Sequence, residues 1–192
     1  REMYPRAPCV TVDPGPAGQV LEGEFRPGFF GGVLTVVLKL FQLVRPETAV
    51  FGCKDAQQLA LIRQMAADLD LGVRIEAVPT VRDSDGLATS SRNAYLSAAD
   101  RAAALAIPAA LAAGRAAADS GPGPALAAAR RVLDRGAADG RELAVDYLSL
   151  AHPETFAPVT EGYAGPAVLA IAARAGSTRL IDNVPLTLHG EG

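Results

Sequence analysis

The sequence predicts an α/β protein in which a parallel-sheet domain is followed by a small α+β domain. Residues 48 to 78 read as a strand, a helix and a second strand, the order of a βαβ unit with parallel strands. Two alanine-rich helical stretches and three strand-like runs follow. We place the boundary near Val81, with residues 1–80 in the first domain and residues 81–192 in the second.

The first elements precede the βαβ unit. Residues 9–12 (CVTV) read as a short strand that ends at a turn rich in proline and glycine. Residues 32–44 are almost continuously apolar and exceed the usual length of a strand, which favours a buried helix. Pro46 ends this helix, because the residue before a proline avoids the helical conformation.

The βαβ unit is the clearest local signal. Its four segments are a buried strand, a turn, a helix and a second strand: residues 48–51, 52–55, 56–69 and 73–78. The helix carries one apolar stripe, formed by Leu59, Ile62, Met65 and Leu69. We expect the carboxylate of Asp55 to cap the first turn. In such a Rossmann-like sheet, ligands collect at the C-terminal ends of the strands, where residues 52–55 and 79–81 lie.

The second domain is predicted to be helical first and then to form strands. Ser97 and Asp100 resemble a capping box that opens a helix over residues 98–118. The sequence SGPGP at residues 120–124 interrupts it, and another helix runs to about residue 135. The strands follow, at residues 144–150, 167–173 and 180–184.

Composition excludes several classes of function. A net charge of −3 over 192 residues gives no electrostatic footprint for nucleic acid. The longest apolar run is too short to cross a bilayer, and no secretory signal is visible. Two cysteines, Cys9 and Cys53, are too few for a disulfide framework and fit the cytoplasm. With His152 and His189 as the only histidines, no metal site of the His/Cys type is predicted.

Two polar segments are candidate anion sites. In the turn GCKD, a helix N-terminus and Lys54 together suit a phosphate, although an exposed lysine beside a capping aspartate is the alternative. Residues 90–93 (SSRN) offer two hydroxyls and a guanidinium for phosphate oxygens, the alternative being a turn with ordinary helix caps. The amide of Gln58 could bind a hydroxyl and a carboxylate, or lie on the surface.

These segments together resemble a known family. They keep the order and spacing of the bacterial pantothenate synthetase (pantoate–β-alanine ligase) family across nearly the whole chain. The stretches that carry the resemblance are residues 3–5, 21–23, 26–28, 32–37, 51–52, 54–55, 57–59, 78–82, 85–88, 90–93 and 178–183.

The resemblance implies a Rossmann-type nucleotidyltransferase with a small C-terminal domain, as a cytoplasmic homodimer. Such a ligase uses ATP and Mg²⁺ to convert pantoate into pantoyl adenylate, and the amine of β-alanine then displaces AMP. It implies that Gly52, Cys53, Lys54 and Asp55 bind ATP, that the backbone of Val81 meets the adenine, and that Gln58 binds pantoate. Thr89, Ser90, Ser91 and Arg92 would close over the phosphates as a mobile loop. Lys54, Ser90, Ser91 and Arg92 are the implied catalytic residues.

The chain also departs from the family pattern. The family's N-terminal part carries a paired-histidine motif that grips the ATP phosphates, and nothing in this sequence matches it. Phe29 stands where a histidine is usual, Cys53 where a glutamate is usual, and Thr89 where a larger apolar residue is usual. We therefore expect little or no ligase activity from these residues alone. A non-catalytic homologue that binds nucleotide or a partner chain, and an adenylate-forming ligase for another acid or amine, are the alternatives.

Overall fold

The computed structural model of the protein describes residues 3–138 and 143–189. Within these ranges the helices are α1 Glu22–Phe25, α2 Phe29–Val44, α3 Ala56–Asp68, α4 Ala98–Ala104, α5 Ala106–Ala116 and α6 Pro122–Ala138. The strands are β1 Thr48–Gly52, β2 Arg74–Val78, β3 Ala144–Ala151, β4 Gly165–Ala175 and β5 Thr178–Leu188. They form a two-stranded and a three-stranded sheet, which confirms the predicted α/β class.

The predicted βαβ unit is present with the expected direction. β1 and β2 pair in parallel from Thr48 opposite Arg74 to Gly52 opposite Val78, with α3 between them in sequence. The inner faces of the helices α2 and α3 form one hydrophobic core, whose buried members are Phe30, Leu34, Phe41, Leu61, Ile62 and Met65. The predicted stripe is wrong at its end: Leu69 lies past the last turn of α3 and is half exposed, while Leu61 is buried.

Two expectations for the first segment need correction. Residues 9–12 are not a strand: the N–H of Val12 donates to Oγ1 of Thr35 at 2.9 Å instead of to a neighbouring strand. Helix α2 is confirmed, but it starts three residues earlier than predicted and is only half buried. Among the described residues, Leu43 and Val44 at the end of α2 are exposed.

The C-terminal sheet is antiparallel with the order β3-β4-β5, and its strands are longer than predicted. Helices α5 and α6 cover it, so that Ile107, Leu111, Leu133, Leu150, Leu169 and Ile171 share one core. The predicted helix over residues 98–118 divides at Leu105 into α4 and α5. Ser97 caps α4 as predicted, with its Oγ accepting from the N–H of Asp100 at 3.1 Å.

A third, smaller core joins helix α3 to the C-terminal sheet. Leu21, Ala151 and Phe156 are buried there, and Ala56 and Ala60 of α3 pack against them. The C-terminal sheet therefore lies beside the start of α3, at the end of β1. The division into residues 1–80 and 81–192 stays a prediction. Along the part of the chain that the structure describes, the helices are all too short or too polar to traverse a lipid bilayer.

Candidate functional site

Lys54 lies on a tight turn between β1 and α3. The strand ends at Gly52, residues Cys53–Asp55 form one turn of 3₁₀-helix, and α3 begins at Ala56. The prediction that the Asp55 carboxylate caps α3 is wrong, since Asp55 stands at the N-cap position but makes no side-chain capping bond. The 3₁₀ turn leads directly into the helix, and the Asp55 side chain lines a cleft instead.

The two glutamines that open α3 have different environments. Gln57 is buried: its Nε2 donates to the carbonyls of Ala17 and Val20 at 2.7 and 2.8 Å, and its Oε1 accepts from the N–H of Glu22 at 3.2 Å. Gln57 therefore fixes the segment before α1. Gln58, the predicted pantoate ligand, lines the same cleft as Asp55.

The loop that carries Ser90 and Arg92 is anchored by Asp83. The Asp83 carboxylate accepts from Thr89 Oγ1 at 2.7 Å, Asn93 Nδ2 at 3.2 Å and Arg101 Nη2 at 2.8 Å. The bonds from Arg101 and Thr89 hold the pKa of Asp83 below its ordinary value. Residues on both sides of the Ser90–Arg92 segment are thus tied to one carboxylate. Within the segment, Ser90 Oγ accepts from the N–H of Arg92 at 3.2 Å.

Two adjoining clefts meet at Lys54. The inner cleft is open to solvent and is lined by polar groups including Glu22, Arg26, Lys54, Asp55, Gln58, Tyr147 and Asn183. The loop cleft is smaller and is lined by polar groups including Lys54, Ser90, Arg92, Arg179 and Asp182. Lys54, Ile181 and Asp182 border both clefts. A ligand that extends through both clefts could therefore contact Lys54 with its central part.

Buried ion pairs neutralise most charges around the clefts. Arg179 Nη1 and Nη2 donate to Glu22 at 2.8 and 2.7 Å, and its Nε donates to Asp146 at 2.6 Å. Burial alone would lower the pKa of Arg179, but the hydrogen bonds to these carboxylates outweigh burial and raise it. The hydroxyl of Tyr147 donates to Glu22 at 3.0 Å, and burial together with the Glu22 charge raises the pKa of Tyr147.

Asp182 is neutralised in the same manner by Arg82. Arg82 Nη1 and Nη2 donate to the Asp182 carboxylate at 2.6 and 3.1 Å. Among residues 3–138 and 143–189, neither Lys54 nor Arg92 takes part in an ion pair with an acidic side chain. The loop cleft therefore has two unneutralised cations and a hydroxyl from Ser90, a combination that suits a phosphate group.

The structure brings together only part of the predicted site. Lys54, Ser90 and Arg92 line the loop cleft, and Asp55 and Gln58 line the inner cleft. The other predicted residues line neither cleft: Gly52, Cys53, Val81, Thr89 and Ser91. The Cys53 side chain lies in a groove beside α3, and Thr89 donates its N–H to the Val81 carbonyl at 2.9 Å.

Sequence reasoning gave no role to several residues that line the clefts. These are Glu22, Arg26, Tyr147, Arg179, Asp182 and Asn183. For Arg179, Asp182 and Asn183 the sequence signal was a charged or amide group within the apolar strand TRLIDNV of β5. Phe29 also lines the inner cleft, where the guanidinium carbon of Arg26 lies 3.4 Å from the centre of its ring.

No group of three or more potential metal ligands of the His, Cys, Asp or Glu type occurs in the described ranges. Mg²⁺ is commonly held by substrate phosphates, water and only one or two carboxylates.

Comparison with known proteins decides the family. The model of the pantoate-beta-alanine ligase family matches residues 1–185. The chain belongs to the pantoate-beta-alanine ligase family. It is 63% identical over 192 residues to the pantothenate synthetase of Thermobifida fusca, covering 97% of this chain and 65% of that relative. With the pantothenate synthetase of Streptomyces avermitilis it shares 47% identity, covering 97% of this chain and 70% of the relative.

Solved structures of pantoate-beta-alanine ligases agree with this assignment. The Thermus thermophilus pantothenate synthetase superimposes with a TM-score of 0.87 at 44% identity, over 95% of this chain and 66% of that one. The Francisella tularensis pantoate-beta-alanine ligase, complexed with beta-gamma ATP and beta-alanine, superimposes with a TM-score of 0.70 at 29% identity, over 95% of this chain and 60% of that one. The predicted nucleotidyltransferase-like fold is confirmed. The chain thus spans about two thirds of the length of these relatives.

Proposed function

We propose that this chain provides the ATP- and pantoate-binding region of a pantoate–β-alanine ligase that acts through a pantoyl-adenylate intermediate. The observation that carries the proposal is the convergence of Lys54, Ser90 and Arg92 on the loop cleft, where neither cation has an acidic partner among the described residues. Lys54 also borders the inner cleft, whose lining includes Gln58. An acid in the inner cleft and the phosphates of ATP in the loop cleft would therefore share one lysine.

The chemistry explains why such a lysine is needed. A carboxylate is a poor acyl donor until it carries a leaving group, which adenylation supplies. The carboxylate oxygen of pantoate attacks the α-phosphorus of ATP, and the bond to the pyrophosphate oxygen breaks. The amine of β-alanine then attacks the acyl carbon, and AMP leaves. In the first step negative charge grows on the departing pyrophosphate, which fixed cations stabilise without having to reorganise.

Each side chain then has a definite role. Lys54 and Arg92 hold the phosphate oxygens of MgATP, and the hydroxyl of Ser90 donates one further hydrogen bond. The amide of Gln58 binds the hydroxyl and carboxylate of pantoate. Mg²⁺ enters with the phosphates and offsets their charge.

The other residues that the resemblance implies have supporting roles in the proposed site. Asp55 is proposed to lie near the ribose, and the backbone of Gly52, Cys53 and Val81 beside the nucleotide. Ser91 is proposed to belong, with Ser90 and Arg92, to the loop that binds the phosphates. Thr89 serves that loop through its bond to Asp83, since it lines neither cleft.

One observation favours a second candidate, a homologue that binds nucleotide without turning it over. Phe29 occupies the inner cleft under the guanidinium of Arg26, where the family resemblance leads us to expect a histidine. A phenyl ring can neither donate a hydrogen bond nor exchange a proton with a substrate. From the resemblance we also propose a homodimer, and the two free cysteines fit a cytoplasmic location.

The test is a ligase assay with two proteins. One is the 192-residue chain, and the other is a chimera that joins it to the part of the Thermobifida fusca relative that it does not match. We expect the chimera to form AMP and pantothenate only when ATP, Mg²⁺, pantoate and β-alanine are all present. Calorimetry shows whether ATP and pantoyl adenylate bind.

Binding without turnover in the chimera would support the non-catalytic homologue instead. Turnover that requires a different acid or amine would support an adenylate-forming ligase of other specificity. Absence of both ATP binding and turnover would contradict the proposal as a whole.

A further inference from the structure

Two neighbouring side chains on β5 hold the two halves of the candidate phosphate site. Asn183 Nδ2 donates to the carbonyls of Cys53 and Lys54 at 3.0 and 2.8 Å, so it binds the turn before α3. Asp182 binds Arg82, which opens the loop toward Ser90 and Arg92. Successive side chains of a strand point to opposite faces, so this dipeptide can reach two separate segments.

We propose that Asn183 is a positioning residue for Lys54, and that Asp182 and Asn183 together set the separation between the Lys54 turn and the Ser90–Arg92 loop. The proposal rests on the proposed function, because it assigns these contacts to the geometry of the ATP site. It adds a role for β5, a strand that contributes no predicted contact to the substrates.

The turn has little else to hold it. Asp55, at the N-cap position of α3, supplies no side-chain capping bond. The Lys54 ammonium has no acidic partner among the described residues, so the position of Lys54 depends on its backbone. Asn183 is buried, with 8% exposed, and its amide offers two protons to two neighbouring carbonyls. An amide on a packed strand is a firmer support than a side chain on a loop.

Amide hydrogen exchange tests, without any ligand, whether Asn183 holds the turn that carries Lys54. In Asn183→Leu, which keeps the bulk but removes both donors, we expect the amides of residues 53–57 to exchange about tenfold faster, the effect of losing one to two net hydrogen bonds. Amides of α5 should keep their rates. Asn183→Ala repeats the test if leucine does not fit. Unchanged exchange at residues 53–57 in a folded variant overturns the proposal.

ATP affinity tests the link to Lys54 through a double-mutant cycle. We expect Asn183→Leu to weaken ATP binding about tenfold in the wild-type chain, but less than about twofold in a Lys54→Ala background. A merely structural role would give the same factor in both backgrounds, and that result overturns the proposal. Leu133→Ala, at a buried position of α6, is the control: we expect it to lower the thermal stability but to leave ATP affinity unchanged.

The two measurements separate this proposal from the one on which it rests. If the wild-type chain binds no ATP, the proposed function fails, while hydrogen exchange still decides whether Asn183 holds the turn. If ATP binds and neither exchange nor affinity responds to Asn183→Leu, the positioning role alone fails.

Discussion

Arg179 and Glu22 form a two-point ion pair across 157 residues of chain, with Nη1 and Nη2 donating to the carboxylate at 2.8 and 2.7 Å. Glu22 lies on α1 and Arg179 on β5, so the pair joins the segment before α2 to the C-terminal sheet. Both side chains are largely buried, at 7% and 16% exposed. The pair therefore fixes one wall of the inner cleft.

Glu22→Gln should lower the free energy of unfolding by about 3 kcal/mol, because removal of one partner leaves a desolvated guanidinium short of negative charge. Urea unfolding of the variant and the wild type measures the difference. Glu76→Gln is the matched control, since Glu76 pairs with Arg74 at the exposed surface and should cost less than about 1 kcal/mol. An equal loss of unfolding free energy in the two variants would show that the buried Glu22–Arg179 pair contributes no more to stability than an exposed ion pair.

The buried hydroxyl of Tyr147 should make the free energy of unfolding fall at alkaline pH. Its pKa is raised by burial and by the Glu22 charge, so the contribution is fully present below the ordinary value of 10.0 and is lost as the pH rises toward the folded-state pKa. From about pH 10 to about pH 11 the wild type should lose about 1 kcal/mol more than Tyr147→Phe. Urea unfolding at both values measures this, and parallel losses would contradict the assignment.

Gly114 marks a close approach between α5 and the C-terminal sheet. A Cβ there would clash with Leu169 Cδ2 and lie 3.1 Å from the Ala125 carbonyl oxygen. Gly114→Ala should therefore destabilise the protein by about 1–3 kcal/mol through overpacking. Gly136→Ala is the control, because its nearest neighbour would be at 3.7 Å and alanine favours a helix. Thermal unfolding compares them, and an unchanged or higher Tm for Gly114→Ala would refute this packing.

We predict that the order of the Ser90–Arg92 loop depends on the carboxylate of Asp83. Asp83→Ala releases Thr89, Asn93 and Arg101, so amides of residues 89–95 should exchange faster and ATP affinity should fall severalfold. Asp68→Ala, on the last turn of α3, is the control at a site that borders neither cleft. The same ATP affinity in both variants would mean that Ser90 and Arg92 do not need this anchor.

Local patterns in the sequence predicted most of the fold. The βαβ unit, the Ser97 cap and the three C-terminal strands depend on short-range periodicity and capping, which single segments reveal. Residues 9–12 failed as a strand because a strand needs a neighbour to pair with, which a local pattern does not supply. The exposed end of α2 was missed for the same reason, since burial depends on what packs nearby.

The candidate site was harder to predict because its supports come from distant parts of the chain. Lys54, Ser90 and Arg92 were found from their residue types and from the family resemblance. The ion pair of Arg179 with Glu22 and the bonds from Asn183 to the Lys54 turn span more than a hundred residues. Gln57 and Gln58 look equivalent in sequence, and only tertiary packing shows that Gln57 is buried and Gln58 faces the cleft.

The most direct test of the ATP site is a calorimetric titration of MgATP into the wild type, Lys54→Ala and Lys39→Ala. The chain has two lysines, and Lys39 lies on α2, with its ammonium bound to the carbonyl of Met3 and placed over the Tyr4 ring, so it is a matched control. We predict that Lys54→Ala weakens binding at least about tenfold, the effect of losing one charge-assisted hydrogen bond, while Lys39→Ala binds like the wild type. Equal affinity in all three proteins would contradict a phosphate site at Lys54.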